Sequence, residues 1–195
     1  MSINYGNEYK KMLKRKGRPY SEAHRSKYKV IAELLKDCPA NILEIGPGTG
    51  EGLHRLLKKG CIKKYMGIDA VKDCSDHLKK EFKSHLKKNV KITNMDWVDA
   101  PEKDIRDYFS EDKVDFVLCI EVIEHNPYDM ERYLIFLKKI HKFTKNTLFY
   151  STPNAAADRH GKLTIEESML LLKQAGFQSI SKIIWRGTPL YICNP

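Results

Sequence analysis

Strands and helices that alternate along nearly the whole chain predict an α/β fold on a mostly parallel sheet, with right-handed crossovers between strands. Three observations carry this prediction. Short apolar runs recur at 41–45, 65–69, 90–95, 114–120 and 147–153. Segments with apolar residues three and four apart, the spacing of an amphipathic helix, separate most of them. The run VDFVLCI, 114–120, is apolar almost throughout, as a strand covered on both faces should be.

The elements follow in order. Ala23, Tyr28, Ile31, Leu34 and Leu35 recur at helical spacing and predict a helix over 21–37, with Ser21 as N-cap and Cys38-Pro39 as its stop. After the first strand, Leu53, Leu56 and Leu57 predict a helix over 50–59. Leu78, Phe82 and Leu86 predict one between the second and third strands, and a short helix is expected near 102–109. Met130, Tyr133, Leu134, Leu137 and Ile140 form the stripe of a helix over 129–143 and read as core. A helix over 164–175 ends at Gly176, a suitable residue for the left-handed position past a helix end. SISKIIW and LYICN, joined through Arg186-Gly187-Thr188-Pro189, predict a terminal antiparallel hairpin.

A length of 195 residues suggests one domain with a sizeable core, and 42% hydrophobic with 31% charged residues fits a soluble globular chain. No run approaches the roughly 18 apolar residues of a membrane helix, and MSINYGNEYKK lacks an apolar signal core. Cys38, Cys61, Cys74, Cys119 and Cys193 are dispersed without a C-x-x-C pair, which suggests reduced thiols in a cytoplasm. The net charge of +10 is concentrated: residues 1–29 hold nine Lys/Arg against two Glu. Residues 1–19, with Gly17 and Pro19 as breakers, read as a basic and mobile arm ahead of a domain over 20–195. Such an arm suits phosphate, nucleic acid or an anionic substrate, and also suits a merely solvated tail.

The first strand ends in ILEIGPGTGEG, with Gly46, Gly48 and Gly50 two apart. A dinucleotide turn needs G-x-G-x-x-G, but Glu51 stands where its third glycine would fall. A triphosphate loop needs G-x-x-x-x-G-K-[ST], and no Lys-Ser or Lys-Thr follows. Glu44 at the mouth of the turn suits a cationic ligand better than a phosphate. Asp69 closes the second strand, 19 residues after Gly50, where a carboxylate can accept both hydroxyls of a ribose. Together these residues describe a site for an adenosine without phosphates, and S-adenosylmethionine (SAM) is such a ligand.

On these residues the chain resembles the class I SAM-dependent methyltransferases from about residue 20 to 195, in particular O-methyltransferases of ubiquinone-biosynthesis and sugar-modifying type. The resemblance implies a Rossmann-like seven-stranded sheet of order 3-2-1-4-5-7-6, with helices on both faces and an antiparallel last strand. It also implies that the backbone of Gly46 and Gly48 lies along the methionine part of SAM, with Glu44 accepting from its ammonium. By the same resemblance Asp69 with Ala70 holds the ribose. In MDWVD, Asp96 would accept from the adenine amino group and Trp97 would donate a backbone N–H, while Ile120 and Glu121 flank the cofactor.

Methyl transfer mainly requires a nucleophile aligned behind the methyl carbon, with a base nearby when that nucleophile is a hydroxyl. EVIEH, 121–125, resembles the EVLEH of the O-methyltransferases named above and makes His125 a general base or substrate-orienting group, with Glu124 beside it. The bland alternative packs His125 under the cofactor and uses Glu124 to cap the next helix. His160, in the long segment between the fifth strand and its helix, is a third candidate. The expected acceptor is an oxygen or nitrogen of a small, anionic molecule, with no metal required. An alternative rests on the same residues: Glu121, Glu124, His125 and His160 also resemble the metal ligands of small-RNA 2′-O-methyltransferases, for which the basic arm would suit RNA. A noncatalytic SAM-binding protein is the remaining class. Oligomeric state is not readable from the sequence.

Overall fold

A computed structural model describes residues 22–125, 129–152, 163–185 and 188–195, and gives the backbone alone at 22–24 and 185. Its seven strands are β1 (Ala40–Ile45), β2 (Ile62–Asp69), β3 (Val90–Asn94), β4 (Val114–Ile120), β5 (Thr144–Ser151), β6 (Ser179–Trp185) and β7 (Thr188–Asn194). They form one sheet of order β3-β2-β1-β4-β5-β7-β6. The first five pair in parallel, and β7 runs antiparallel to both β5 and β6. The expected strand order is therefore the observed one. The basic arm, residues 126–128, the segment containing His160 and the Arg186-Gly187 turn lie outside the described residues.

Helices cover both faces because the central strands bury side chains on both. Every residue of β1 is buried. On one face, α1 (Glu22–Leu34), α2 (Glu51–Lys58) and α3 (Lys72–Glu81) pack Tyr28, Ile31, Leu53, Leu56 and Leu78 against Ile42, Leu118 and Phe149. The short α4 (Lys83–Leu86) follows α3. On the other face, α5 (Glu102–Phe109), α6 (Met130–Phe143) and α7 (Ile165–Ala175) pack Ile105, Tyr133, Leu137, Ile140 and Leu172 against Leu43, Val117 and Leu148.

Several details differ from the sequence expectation, one being that Thr188 and Pro189, expected in the hairpin turn, already pair with β6. The helix predicted through Leu78, Phe82 and Leu86 is two helices, broken where Phe82 leaves helical geometry at φ −101° and ψ 23°. Leu34, assigned to the apolar stripe of α1, is 55% exposed because it lies off the buried line of Tyr28, Ile31, Ala32 and Leu35. β2 and β5 each begin three residues early, through the lysine-bearing segments Ile62-Lys63-Lys64 and Thr144-Lys145-Asn146.

Gly52 brings the fold and the site together. A Cβ built there would stand 2.5 Å from Tyr28 Cε1 and 2.6 Å from Glu44 Oε1. Both neighbours are buried and hydrogen-bonded to each other, so neither can withdraw freely. Alanine for glycine inside a helix ordinarily gains up to about 1 kcal/mol, whereas overpacking a fixed core costs about 1–3 kcal/mol. Here overpacking should win. Gly52→Ala is expected to lower the melting temperature by about 4–8 °C, the equivalent of about 2 kcal/mol in a chain of this size. Thermal unfolding checks this, and a raised melting temperature would show that the contact yields.

Candidate functional site

The glycine turn leaves β1 with positive φ at Gly46 (66°), Gly48 (55°) and Gly50 (84°). At Gly46 a Cβ would also fall 2.7 Å from Val122 Cγ2, so glycine is required both for the backbone angle and for the approach of the loop after β4. The turn consumes its own amides. Gly46 N donates to Ile68 O at 2.8 Å, Gly48 N to Asp69 Oδ2 at 2.9 Å and Gly50 N to Pro47 O at 2.9 Å. A phosphate-cradling turn points such N–H groups at its ligand. This one keeps its glycine donors in the protein, which favours a ligand without phosphates.

Beside the turn, Asp69 is 5% exposed and accepts from Gly48 N and, at 2.8 Å, from Val71 N. Burial raises its pKa above the ordinary value, and the two amides oppose that rise. Two carboxylate oxygens offer about four acceptor positions, so room remains for ligand hydroxyls. Ala70 is exposed next to it. Beyond β3, Asp96 Oδ1 accepts from Val98 N at 2.9 Å, and Arg132 approaches Oδ2 at 3.8 Å. Trp97 is buried, donates Nε1–H to Phe136 O and meets Phe136 and Phe143 edge-on. Lys139 fixes this loop: its ammonium lies 4.8 Å from the Trp97 ring centroid and donates to the carbonyls of Trp97, Val98 and Ala100. Burial lowers the Lys139 pKa.

At the end of β4, Glu121 takes a left-handed φ of 56°, uncommon for a residue with a Cβ. Its amide donates to Ser151 O at 2.8 Å, and the chain enters a 3₁₀ turn, Ile123–His125. The reversal places Val122 over Gly46 and His125 on the cleft wall. Glu124 points elsewhere. It is 2% exposed, its Oε2 has no hydrogen-bond partner among the described residues, and burial holds its carboxyl well above the ordinary range. It does not cap α6; Asp129 does, accepting from Glu131 N and Arg132 N.

Two carboxylates are tied to α1 in ways the sequence reading did not anticipate. Glu44 is fully buried under the turn, with Tyr28 OH donating to Oε1 at 2.6 Å and Tyr65 OH to Oε2 at 2.5 Å. Desolvation pushes its pKa from 4.5 up to about 7, against the pull of both tyrosines and with a smaller push from Asp69. Lys27, 1% exposed, donates to Glu121 Oε1 at 2.5 Å and to Ser151 Oγ at 2.6 Å. In the sequence Lys27 counts only toward the basic N-terminal charge. Its spacing to Ile31 and Leu35, both buried, carried the missed signal: a lysine in an apolar stripe needs a buried partner.

These elements line a cleft of about 150 Å³ at the C-terminal ends of β1, β2 and β4. Gly46, Asp69, Ala70, Asp96, Trp97, Glu121 and His125 line it together. Glu44, Gly48, Gly50, Ile120 and Glu124 lie behind that wall or beside it, and His160 is outside the described residues. The lining suits SAM: carboxylates at one end for hydroxyls and an amino group, the Gly46 backbone in the middle, and a partly exposed imidazole where a methyl acceptor would enter. Among the described residues, no three His, Cys, Asp or Glu side chains come together as a metal-binding set. No helix among them is long and apolar enough to cross a membrane.

A sheet of this order, with a phosphate-free nucleoside cleft at the switch between β1 and β4, defines a Rossmann-like SAM-binding protein. A family model described as "methyltransferase domain" matches residues 20–182, and the chain belongs to that family. It is a SAM-dependent methyltransferase, with SAM as its methyl donor. Solved structures agree on the fold. Magnesium protoporphyrin IX methyltransferase (ChlM) from Synechocystis PCC 6803, with bound SAM, superposes with a TM-score of 0.71 at 14% identity, over 98% of this chain and 92% of that one. A SAM-dependent methyltransferase from Aquifex aeolicus gives 0.69 at 20% identity, over 97% and 98%. An O-methyltransferase, itself putatively assigned, from Nostoc punctiforme PCC 73102 gives 0.73 at 13% identity, over 98% and 60%. Comparison of the sequence with curated proteins returns no match.

Proposed function

We propose that this methyltransferase transfers the methyl group of SAM to an oxygen, or a nitrogen, of a small anionic molecule, with His125 as the base or orienting group. One observation carries the reading: a partly exposed imidazole on the wall of the cleft, at the end of β4 and next to the glycine turn. Asp69 and Ala70 would receive the ribose, Asp96 and the Trp97 backbone the adenine, and the Gly46–Gly48 backbone the methionine part. Ile120 and Glu121 flank this path. SAM supplies an electrophilic methyl on a sulfonium; the protein must align the acceptor and take up its proton. The basic N-terminal segment supports an anionic acceptor, a neighbour named as an O-methyltransferase supports an oxygen acceptor, and one named for magnesium protoporphyrin IX supports a small-molecule one.

His125→Ala is expected to lower kcat by about 10²–10⁴-fold, with SAM affinity unchanged. Turnover of labelled SAM against panels of acidic small molecules and single-stranded RNA reads both the acceptor and the effect. The wild-type activity should persist in excess chelator. Loss on chelation with rescue by Mn²⁺ or Mg²⁺, and turnover on RNA, would replace this reading by the 2′-O-methyl one, with Glu121, Glu124, His125 and His160 as ligands. An unchanged kcat in His125→Ala would remove the base.

A further inference from the structure

Lys27 is a buried cation with no role in the reading above. Its ammonium is fixed from two sides: Glu121 Oε1 at 2.5 Å and Ser151 Oγ at 2.6 Å, with Ser151 in turn donating to Pro189 O at 2.8 Å. It therefore joins α1 to the ends of β4 and β5 and to the start of β7. A lysine is almost never this deeply buried unless paired, and here the pair is with a residue of the cleft wall. Glu121 belongs to the Glu121, Glu124 and His125 set, the part of this chain with the composition of a divalent-metal site. The three do not converge. Glu121 is held by Lys27, Glu124 is buried away from the cleft lining, and only Glu121 and His125 face it.

We propose that Lys27 is the resident cation of this corner: it neutralises Glu121, fixes that carboxylate on the cleft wall, and so excludes a divalent ion. The Lys27 ammonium is buried and the Glu121 carboxylate only 22% exposed, so each compensates the charge of the other. A metal entering beside the ammonium would meet like charge at close range, where little water screens it. Lys27 is thus a positioning residue that acts through Glu121 and also determines which cation the corner accepts.

Mn²⁺ binding, followed by electron paramagnetic resonance of the free ion, tests this without reference to turnover or acceptor. Wild-type protein and Lys27→Arg, which keeps the charge, should leave millimolar Mn²⁺ free. Lys27→Met removes the ammonium beside Glu121, and should bind one Mn²⁺ tighter by about 100-fold or more, the scale of removing a unit charge from a few ångströms away. A second substitution, His125→Ala, should abolish that gain. Tight Mn²⁺ binding to the wild type that His125→Ala removes overturns the proposal, and this titration stands even if Lys27→Met does not fold. A folded Lys27→Met that binds no Mn²⁺ also overturns it.

Discussion

Asp69→Ala is expected to weaken SAM binding by about 2–4 kcal/mol, roughly 30- to 1,000-fold, through the loss of two charge-assisted hydrogen bonds to the ribose hydroxyls. The carboxylate closes β2 on the cleft wall, and its pairing with the Gly48 and Val71 amides fixes its direction. Those amides create an ambiguity, since alanine also removes the support of the glycine turn. Calorimetry with S-adenosylhomocysteine and its 2′-deoxy analogue separates the two effects. If Asp69 holds the ribose, the wild type should discriminate strongly between the ligands and Asp69→Ala should lose that discrimination. If Asp69 acts only through the turn, the variant should weaken both ligands and keep the difference. Unchanged affinity for SAM would remove Asp69 from the site altogether.

The sequence was most legible where burial is uniform. β4 lies between two covered faces, so its apolar run marks both ends, and 114–120 is both the expected and the observed strand. α5, expected near 102–109, spans Glu102–Phe109, where the structure has Pro101 before it and a left-handed Ser110 after it. β2 and β5 were read short because their first turns of chain carry lysines at an exposed end of the sheet, where hydrogen bonding continues after the apolar pattern has stopped. The α3–α4 break leaves no such trace: Leu78, Phe82 and Leu86 keep helical spacing across it. The cleft was legible through residue types with few substitutes, the glycines at positive φ and the acids that close strands.

What escaped was the set of contacts that tie the site to α1. Lys27 to Glu121 and Tyr28 to Glu44 span 94 and 16 residues, and pairings across such distances follow from packing, not from local pattern. Glu44 illustrates the limit well. Its place in the motif is visible in the sequence, but its two tyrosine partners, its full burial and its absence from the cleft lining are not. Glu124 is the converse case, adjacent to His125 in sequence yet buried on a different side of the turn.

Glu44 should also make the fold sensitive to pH, with a definite sign. In the unfolded chain its carboxyl titrates near 4.5; in the folded protein desolvation raises it to about 7, because two tyrosine hydroxyls do not replace the water it loses. Between these values the unfolded chain releases a proton that the folded protein retains. Stability from this group is therefore complete below about pH 4.5, falls as pH rises, and is lost above about pH 7, a change of about 3 kcal/mol. Other buried carboxyls titrate as well, Glu124 and Asp69 among them, so the wild-type curve alone does not isolate it. Glu44→Gln does, since the amide is neutral throughout and can accept from one tyrosine while donating to the other. Any fixed cost of the substitution cancels when the two proteins are compared across pH. Urea unfolding at pH 4 and pH 8 should show the stability of Glu44→Gln rising relative to wild type by about 3 kcal/mol between the two. A difference that stays constant with pH would mean that Glu44 titrates in the folded protein as it does in the unfolded chain, its tyrosines balancing its burial, and a change of opposite sign would mean that they outweigh it.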